Sequence, residues 1–168
     1  MEGSLPGGGA DAAVEVHGLV KTFKSVEAVR GIDLLVRTGE TFGFLGPNGA
    51  GKSTTIKMLC TLADATSGSA KVAGFDVATE RDAVRRSIGL VFQEPTLDGY
   101  LTAEQNLQFH GELYGVDKTT ARQRRKEVLD MVGLYDRKDD LVQTFSGGMR
   151  RRLEIARGLL HSPKVLFL

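Results

Sequence analysis

The sequence lacks tryptophan and has one cysteine, Cys60, among 168 residues. A lone thiol excludes an intramolecular disulfide framework and any zinc cluster built on cysteines. Long hydrophobic runs are also missing: none approaches the roughly 20 residues needed to cross a bilayer. The start, Met1-Glu2-Gly3-Ser4-Leu5-Pro6 and then Gly7 to Gly9, has neither the basic nor the apolar stretch of a secretory signal. Nor is there an excess of one charge. Lys+Arg number 22 against 21 Asp+Glu, a net charge of +1, so no global field draws the chain to nucleic acid or acidic lipid. What is present is ordinary globular composition, 41% hydrophobic and 26% charged, in a chain long enough for one domain with a sizeable core. A cytoplasmic protein is expected. Glycine alone is in excess, 21 of 168 residues against an average of roughly 7%.

Residues 1–13 are rich in Gly, Ala and acidic groups and read as a flexible tail. Val14-Glu15-Val16-His17 alternates with period two, as in a strand with one wet face. Ile32-Asp33-Leu34-Leu35-Val36 is a second strand candidate. Thr41-Phe42-Gly43-Phe44-Leu45 is a third, apolar nearly throughout, as expected of a strand covered on both faces in a parallel sheet. Beyond Lys52 the period changes: Ile56, Leu59, Cys60 and Ala63 lie on one helical face. Ile88-Gly89-Leu90-Val91-Phe92 returns to strand character. Thr102 with Gln105, and Thr120 with Gln123, fit capping boxes. The first predicts a helix through Leu107 and Leu113 to about Gly115. The second predicts one with Ala121, Val128, Leu129 and Val132 on one face, stopping at Gly133. A third helix is predicted from Ser146 through Leu153, Ala156 and Leu160 to Ser162-Pro163, followed by the apolar run Val165-Leu166-Phe167-Leu168. Strands, a helical insert and a return to strand predict an α/β domain with an inserted helical subdomain.

Gly46-Pro47-Asn48-Gly49-Ala50-Gly51-Lys52-Ser53 fits G-x-x-x-x-G-K-[ST] between a predicted strand and a predicted helix. Glycines at these positions let the backbone turn its N–H groups inward onto phosphate oxygens, and the helix start adds a positive dipole end. Lys52 is then a point charge for the β and γ phosphates, and the Ser53 hydroxyl a Mg²⁺ ligand. Further along, Ser146 is a good N-cap with Gly147 and Gly148 behind it, which bares first-turn N–H groups. Alone that would be an ordinary capped helix; beside a phosphate loop it gains weight.

Taken in order, these features resemble the nucleotide-binding domain of an ATP-binding cassette (ABC) transporter. The landmarks are the Walker A loop from Gly46 to Ser53, a Q-loop at Val91-Phe92-Gln93-Glu94-Pro95, the signature Ser146-Gly147-Gly148-Met149, and the start of a Walker B strand at 165–168. The stretch Phe92-Gln93-Glu94-Pro95-Thr96-Leu97-Asp98, Leu101-Thr102 and Glu104-Gln105-Asn106-Leu107, together with 145–153, is most similar to drug-resistance exporters of the daunorubicin type. The resemblance implies a P-loop NTPase core with a parallel sheet, an N-terminal antiparallel β portion and an inserted α-helical subdomain, cut short at the Walker B strand. It divides the chain into a tail (1–13), a β-rich portion with Walker A and Q-loop (14–95), a helical subdomain (96–145), and the signature helix with the start of Walker B (146–168).

The same resemblance implies roles. Phe23 matches the aromatic that stacks on adenine, against the plainer reading of a strand-end core residue. Gly46, Pro47, Asn48, Gly49, Ala50, Gly51, Lys52, Ser53 and Thr54 would hold the phosphates of ATP, with Ser53 and Gln93 toward Mg²⁺ and Gln93 near the attacking water. Ser146, Gly147 and Gly148 would meet the γ-phosphate held by a second nucleotide-binding subunit in a head-to-tail pair. The family places leucine before the signature serine and glutamine after the glycines; here Phe145 and Met149 stand there. Its Walker B carboxylates would follow Leu168, so these 168 residues by themselves are expected to be inactive in hydrolysis. The implied function is the ATPase subunit of an exporter, working at the inner face of the membrane with a separate permease and with no nucleic-acid partner. Alternatives are a soluble cassette ATPase of DNA repair or translation, or a non-catalytic nucleotide-binding module. Arg122, Arg124, Arg125 and Lys126, like 150–152, read as solvated charge. Cys60 reads as inert core, and His161 as a cation at a helix C-terminus.

Overall fold

Along Ala12–Phe23 (β1) the buried residues are Val14, Val16 and Leu19, so the period-two pattern slips by one residue between 16 and 19. The cause is a bulge. Pairing register shifts between Val16 and Leu19, Gly18 adopts φ +52°, and its N–H is satisfied by Asp33 Oδ1 at 2.8 Å instead of by a ladder partner. On the neighbouring strand a Cβ at Gly68 would lie 2.3 Å from the Gly18 carbonyl oxygen, so the bulge is accommodated by glycine on both sides. The computed structural model describes residues 12–92, 94 and 96–168, and the chain divides into two units, Met1–Ile88 and Gly89–Leu168.

In the first unit β1 pairs antiparallel with Val26–Arg37 (β2) and Ser67–Val72 (β3), and β3 with Phe75–Asp76 (β4), giving the order β2-β1-β3-β4. β1 begins at Ala12 and so takes in the last two residues assigned to the tail; the rest of the tail lies outside the described residues. Helix α1 (Lys52–Leu59) packs on β2 and β3. It buries Thr55, Met58 and Leu59, a face rotated from the expected one, with Ile56 only half-buried. A short helix, α2 (Arg81–Ser87), buries Val84, and Arg85 Nε donates to Thr61 Oγ1 at 2.9 Å. One expectation fails here. Residues 41–45 form no strand, and Leu45 is 93% exposed. Apolar character marks a strand only where neighbouring backbones complete the ladder, and the four-stranded sheet closes without this segment. Phe42 and Phe44 instead pack edge to face, centroids 5.5 Å apart.

β5 (Ile88–Leu90), all but its first residue in the second unit, and β6 (Val165–Phe167) form a two-stranded parallel sheet, prolonged by Val91 N–H donating to the Phe167 carbonyl at 2.9 Å. Three helices enclose the core: α3 (Ala103–Leu113), α4 (Lys118–Met131) and α5 (Gly147–Leu159). Thr102 and Gln105 form the expected capping box, and α3 buries Ala103, Asn106, Leu107 and Gly111 while Leu113 faces outward. Helix α4 begins three residues before the expected Thr120. Asp117 is its N-cap, taking the amides of Thr119 and Thr120, because an ionised carboxylate at N-cap also meets the positive dipole end. The core joins Leu107, Val128, Leu129, Leu134, Val142, Phe145, Leu153, Ala156 and Leu160.

The basic run is not simply solvated. Arg124 reaches the Leu159 carbonyl at 3.2 Å and Glu127 at 2.7 Å, and Arg125 pairs with Glu104 of α3 at 2.6 Å, so two of the four charges tie α4 to its neighbours. His161 is likewise no simple terminal cation: its ring stacks on Tyr114 at 4.1 Å and lies 5.8 Å from His110. Burial, then Arg157 and His161, push the His110 pKa from 6.5 down to about 4, and its buried Nε2 has no hydrogen-bond partner among the described residues. An unfolded chain takes up this proton from about pH 6.5 downward while the folded form refuses it, so stability falls as pH drops from 6.5 to about 4. Thermal melts followed by circular dichroism between these limits should show that loss. His110→Gln should flatten it, and an unchanged slope in the variant would exclude His110 as the source.

Candidate functional site

The turn before α1 is built on backbone geometry. Gly46, Gly49 and Gly51 have positive φ (151°, 83° and 83°), and Ala50 N–H closes a turn onto the Pro47 carbonyl at 3.3 Å. Gly51 is the N-cap of α1 and supplies no side-chain cap, so the first-turn amides are left for another acceptor. It also packs hard against β2: a Cβ there would lie 2.4 Å from the Ala28 carbonyl oxygen. Lys52 Nζ folds back over the loop, donating to the carbonyls of Gly46 at 2.6 Å and Pro47 at 2.8 Å. The Ser53 side chain is exposed and Thr54 half-buried at the same helix start. Bare amides, a dipole end, one ammonium and one hydroxyl form a donor set suited to a polyphosphate with a hard divalent cation.

Phe23 ends β1, paired with Val26 at the start of β2, two residues before Ala28, against which Gly51 packs. The ring is 51% exposed, which rules out the plain core reading. Lys21, two residues earlier on the same face of the strand, holds its ammonium 4.8 Å from the ring centroid and donates to the Asp64 carbonyl at 2.7 Å. Sequence reasoning missed this lysine, although the i, i+2 spacing on a strand is the signal that could have found it. Cys60, the C-cap of α1, is buried, and burial pushes its thiol up to about 12, so it is chemically inert core as expected.

In the second unit Ser146 is the N-cap of α5, its Oγ accepting from Met149 N–H at 3.3 Å. A hydroxyl that accepts there still has its own proton to donate. Gly147 and Gly148 are exposed, and nothing lies within 4 Å of where their Cβ atoms would be. Ser146, Gly147 and Gly148 thus present an open helix start. Gln93 and Pro95 lie outside the described residues, but the backbone on either side of them is bonded to α5. Arg151 Nη1 donates to the Phe92 carbonyl at 2.6 Å, Thr96 N–H donates to Glu154 Oε1 at 2.7 Å, and Arg157 Nη1 donates to the Thr96 carbonyl at 3.1 Å. Arg152 reaches the Val132 carbonyl at 2.7 Å. Sequence reasoning took 150–152 as surface charge partly offset by Glu154, which does lie 3.6 Å from Arg151, but missed the bond of Glu154 to Thr96 and the role of Arg157, because partners some 60 positions away leave no local mark.

A family model described as ABC transporter matches residues 29–168. The chain belongs to the ABC transporter family. It is 49% identical over 156 residues to the daunorubicin/doxorubicin resistance ATP-binding protein DrrA of Streptomyces peucetius, covering 93% of this chain and 47% of that one. It is 42% identical to the linearmycin resistance ATP-binding protein LnrL of Bacillus subtilis, covering 92% and 50%. The chain therefore spans about half the length of the curated relatives it matches. Among solved structures it is similar to cbiO1 of Clostridium perfringens, part of the ABC transporter complex cbiONQ, with a TM-score of 0.84 at 28% identity over 93% of this chain and 64% of that one. The expected fold class stands: a P-loop α/β fold with an N-terminal antiparallel sheet, a parallel sheet and an added helical portion. Among the described residues no helix is long and apolar enough to cross a membrane.

The turn before α1 depends on Gly51 twice, through its left-handed φ and through its contact with Ala28. Gly51→Ala should lower stability by about 2 kcal/mol or more, the cost of αL strain with a backbone clash added. Urea denaturation checks this, and a midpoint equal to the parent's would mean the loop relaxes around the methyl.

Proposed function

We propose that this chain is the nucleotide-binding portion of an exporter ATPase, binding MgATP and driving export of a drug-like or other hydrophobic substrate through a separate membrane permease. The observation that carries the reading is the uncapped start of α1 beneath a glycine loop with Lys52 above it, in a chain 49% identical to a daunorubicin/doxorubicin resistance ATP-binding protein. The work is done at the inner face of the membrane.

Gly46, Pro47, Asn48, Gly49, Ala50 and Gly51 wrap the phosphates with their amides, and Thr54 closes the first turn behind them. Lys52 exchanges its two carbonyl contacts for phosphate oxygens, a favourable trade because both partners are then charged. Phe23 stacks on adenine with the face that Lys21 leaves open. Ser53 fits a Mg²⁺ ligand, since its hydroxyl stands exposed at the helix start, with Gln93 as the second protein group toward the ion. Bound there, Mg²⁺ supplies neutralisation of phosphate charge. Gln93 orients the attacking water. Ser146, Gly147 and Gly148 of a second, head-to-tail subunit complete the γ-phosphate seat, so closure of the pair and turnover are coupled.

Two variants of the full-length protein test this. Lys52→Ala should weaken ATP binding in calorimetry by about 10- to 100-fold, the value of charge-assisted hydrogen bonds; unchanged affinity removes the loop from the nucleotide site. Ser146→Arg should leave binding by the monomer within about twofold, yet abolish ATP-dependent dimerisation in ultracentrifugation together with turnover, because a bulky cation fills the phosphate seat. A variant that dimerises and hydrolyses normally takes the signature out of the active site.

A further inference from the structure

Two charges of the basic run on α4 serve the fold, Arg124 toward α5 and Arg125 toward α3; the other two do not. Arg122 and Lys126, one helical turn apart and in line with Thr119, face a cleft of about 460 Å³. Its other walls are Glu104 of α3 and the 3-10 turn that begins at Tyr135, with Lys138 just beyond. Tyr135 packs against the helical core, and both ammoniums stand over its ring, Lys126 Nζ 4.7 Å and Lys138 Nζ 5.7 Å from the centroid. Three cations therefore line one cleft. The carboxylate in the lining is Glu104, and Arg125 already holds it at 2.6 Å. Lys126 also meets Asp130 at 2.6 Å, and Lys138 meets Asp139, but these carboxylates stand outside the lining and are 47% and 78% exposed. Exposed pairs of this kind contribute little, so a ligand can take the ammoniums over at small cost. Arg122 is exposed and has neither an ion pair nor a side-chain hydrogen bond among the described residues.

We propose that this cleft binds a phosphomonoester dianion. The three terminal oxygens of such a group match three donors of unlike geometry. The Arg122 fork takes two oxygens in parallel, and the Lys126 and Lys138 ammoniums, as point charges, share the third. A monocarboxylate has too few oxygens and too little charge for this set. The volume falls in the range of small-molecule sites and exceeds what a bare phosphate fills, so the ester carries an organic body, with the Tyr135 ring as its apolar contact. A soluble phosphate ester and the headgroup of a phosphatidate both present this group.

Titration calorimetry of phenyl phosphate into the full-length protein, with MgADP kept at saturation, tests the site apart from the nucleotide reading. Saturable binding with a Kd on the order of 1 mM or tighter is expected. Arg122→Gln, which alters an exposed and unpaired side chain, should weaken it about tenfold or more. Arg86→Gln, a change at an exposed arginine of α2 outside the cleft, should weaken it by less than about twofold. Benzoate, with a single charge, should bind at least about tenfold more weakly than phenyl phosphate. Flotation with phosphatidylcholine vesicles, with and without phosphatidic acid, separates the two sources. Arg122-dependent binding to the phosphatidate vesicles assigns the group to a lipid headgroup, and its absence beside saturable phenyl phosphate binding assigns it to a soluble ester. Heat that never saturates, equal losses in Arg122→Gln and Arg86→Gln, or benzoate as tight as phenyl phosphate overturns the site. Binding that appears only when MgADP is left out overturns it as well.

Discussion

The close approach of Gly51 to the Ala28 carbonyl is the constraint on which the first unit's site depends. At φ 83° the chain leaves the loop and enters α1 in a single step, with no side chain between the turn and β2. Any Cβ would push the helix start away from the sheet. Lys52 follows directly, which is why its ammonium can reach the carbonyls of Gly46 and Pro47 within the same loop. The position of β2 is in turn set by β1, whose bulge at Gly18 re-phases the strand so that Leu19 faces inward and the β1–β2 pairing runs on to Phe23 and Val26. The aromatic end of β1 and the glycine turn before α1 therefore share one framework, and neither needs a flexible segment to be placed.

The helix starts of the molecule sort by what caps them. Thr102 and Asp117 cap α3 and α4 with their own oxygens, which leaves those helices as structural elements. Neither Gly51 at α1 nor Glu80 at α2 supplies a side-chain cap; what sets α1 apart is the glycine turn before it and the Lys52 ammonium folded over that turn. Ser146 stands between these cases. Its oxygen serves Met149 N–H, yet its proton and the exposed Gly147 and Gly148 remain outward. The start of α5 is thus capped by its own side chain and still open to solvent.

Local chemistry was legible in the sequence and long-range pairing was not. The glycine turn before α1, the Thr102 capping box and the stop at Gly133 are written within a few residues, and the structure has all three. Residues 41–45 read as a buried strand because every side chain there suits one. Strand formation is a property of neighbours, and the sheet of this unit takes none from that run. The arginines went astray for the opposite reason. Composition marks Arg124, Arg125 and Arg151 as solvated, but a long side chain can lay its stem over apolar surface and carry its guanidinium to a carbonyl or carboxylate on another element. No spacing in the sequence announces a partner that far along the chain.

The departures from the family pattern around the signature follow the same division between local seat and remote support. Phe145 stands where the family has leucine, and it is buried in the helical core beside Val142 and Leu153, with Arg137 5.8 Å from its ring. Met149 stands in place of glutamine, and its side chain packs against that core while its N–H is the group Ser146 caps. Both changes alter what lies under the helix start and neither alters what the helix start presents. Replacing leucine by a larger aromatic demands room, and unbranched methionine, with its three rotatable bonds, fills the remaining space without dictating its shape. The backbone groups of Gly147 and Gly148 and the Ser146 hydroxyl are indifferent to that exchange.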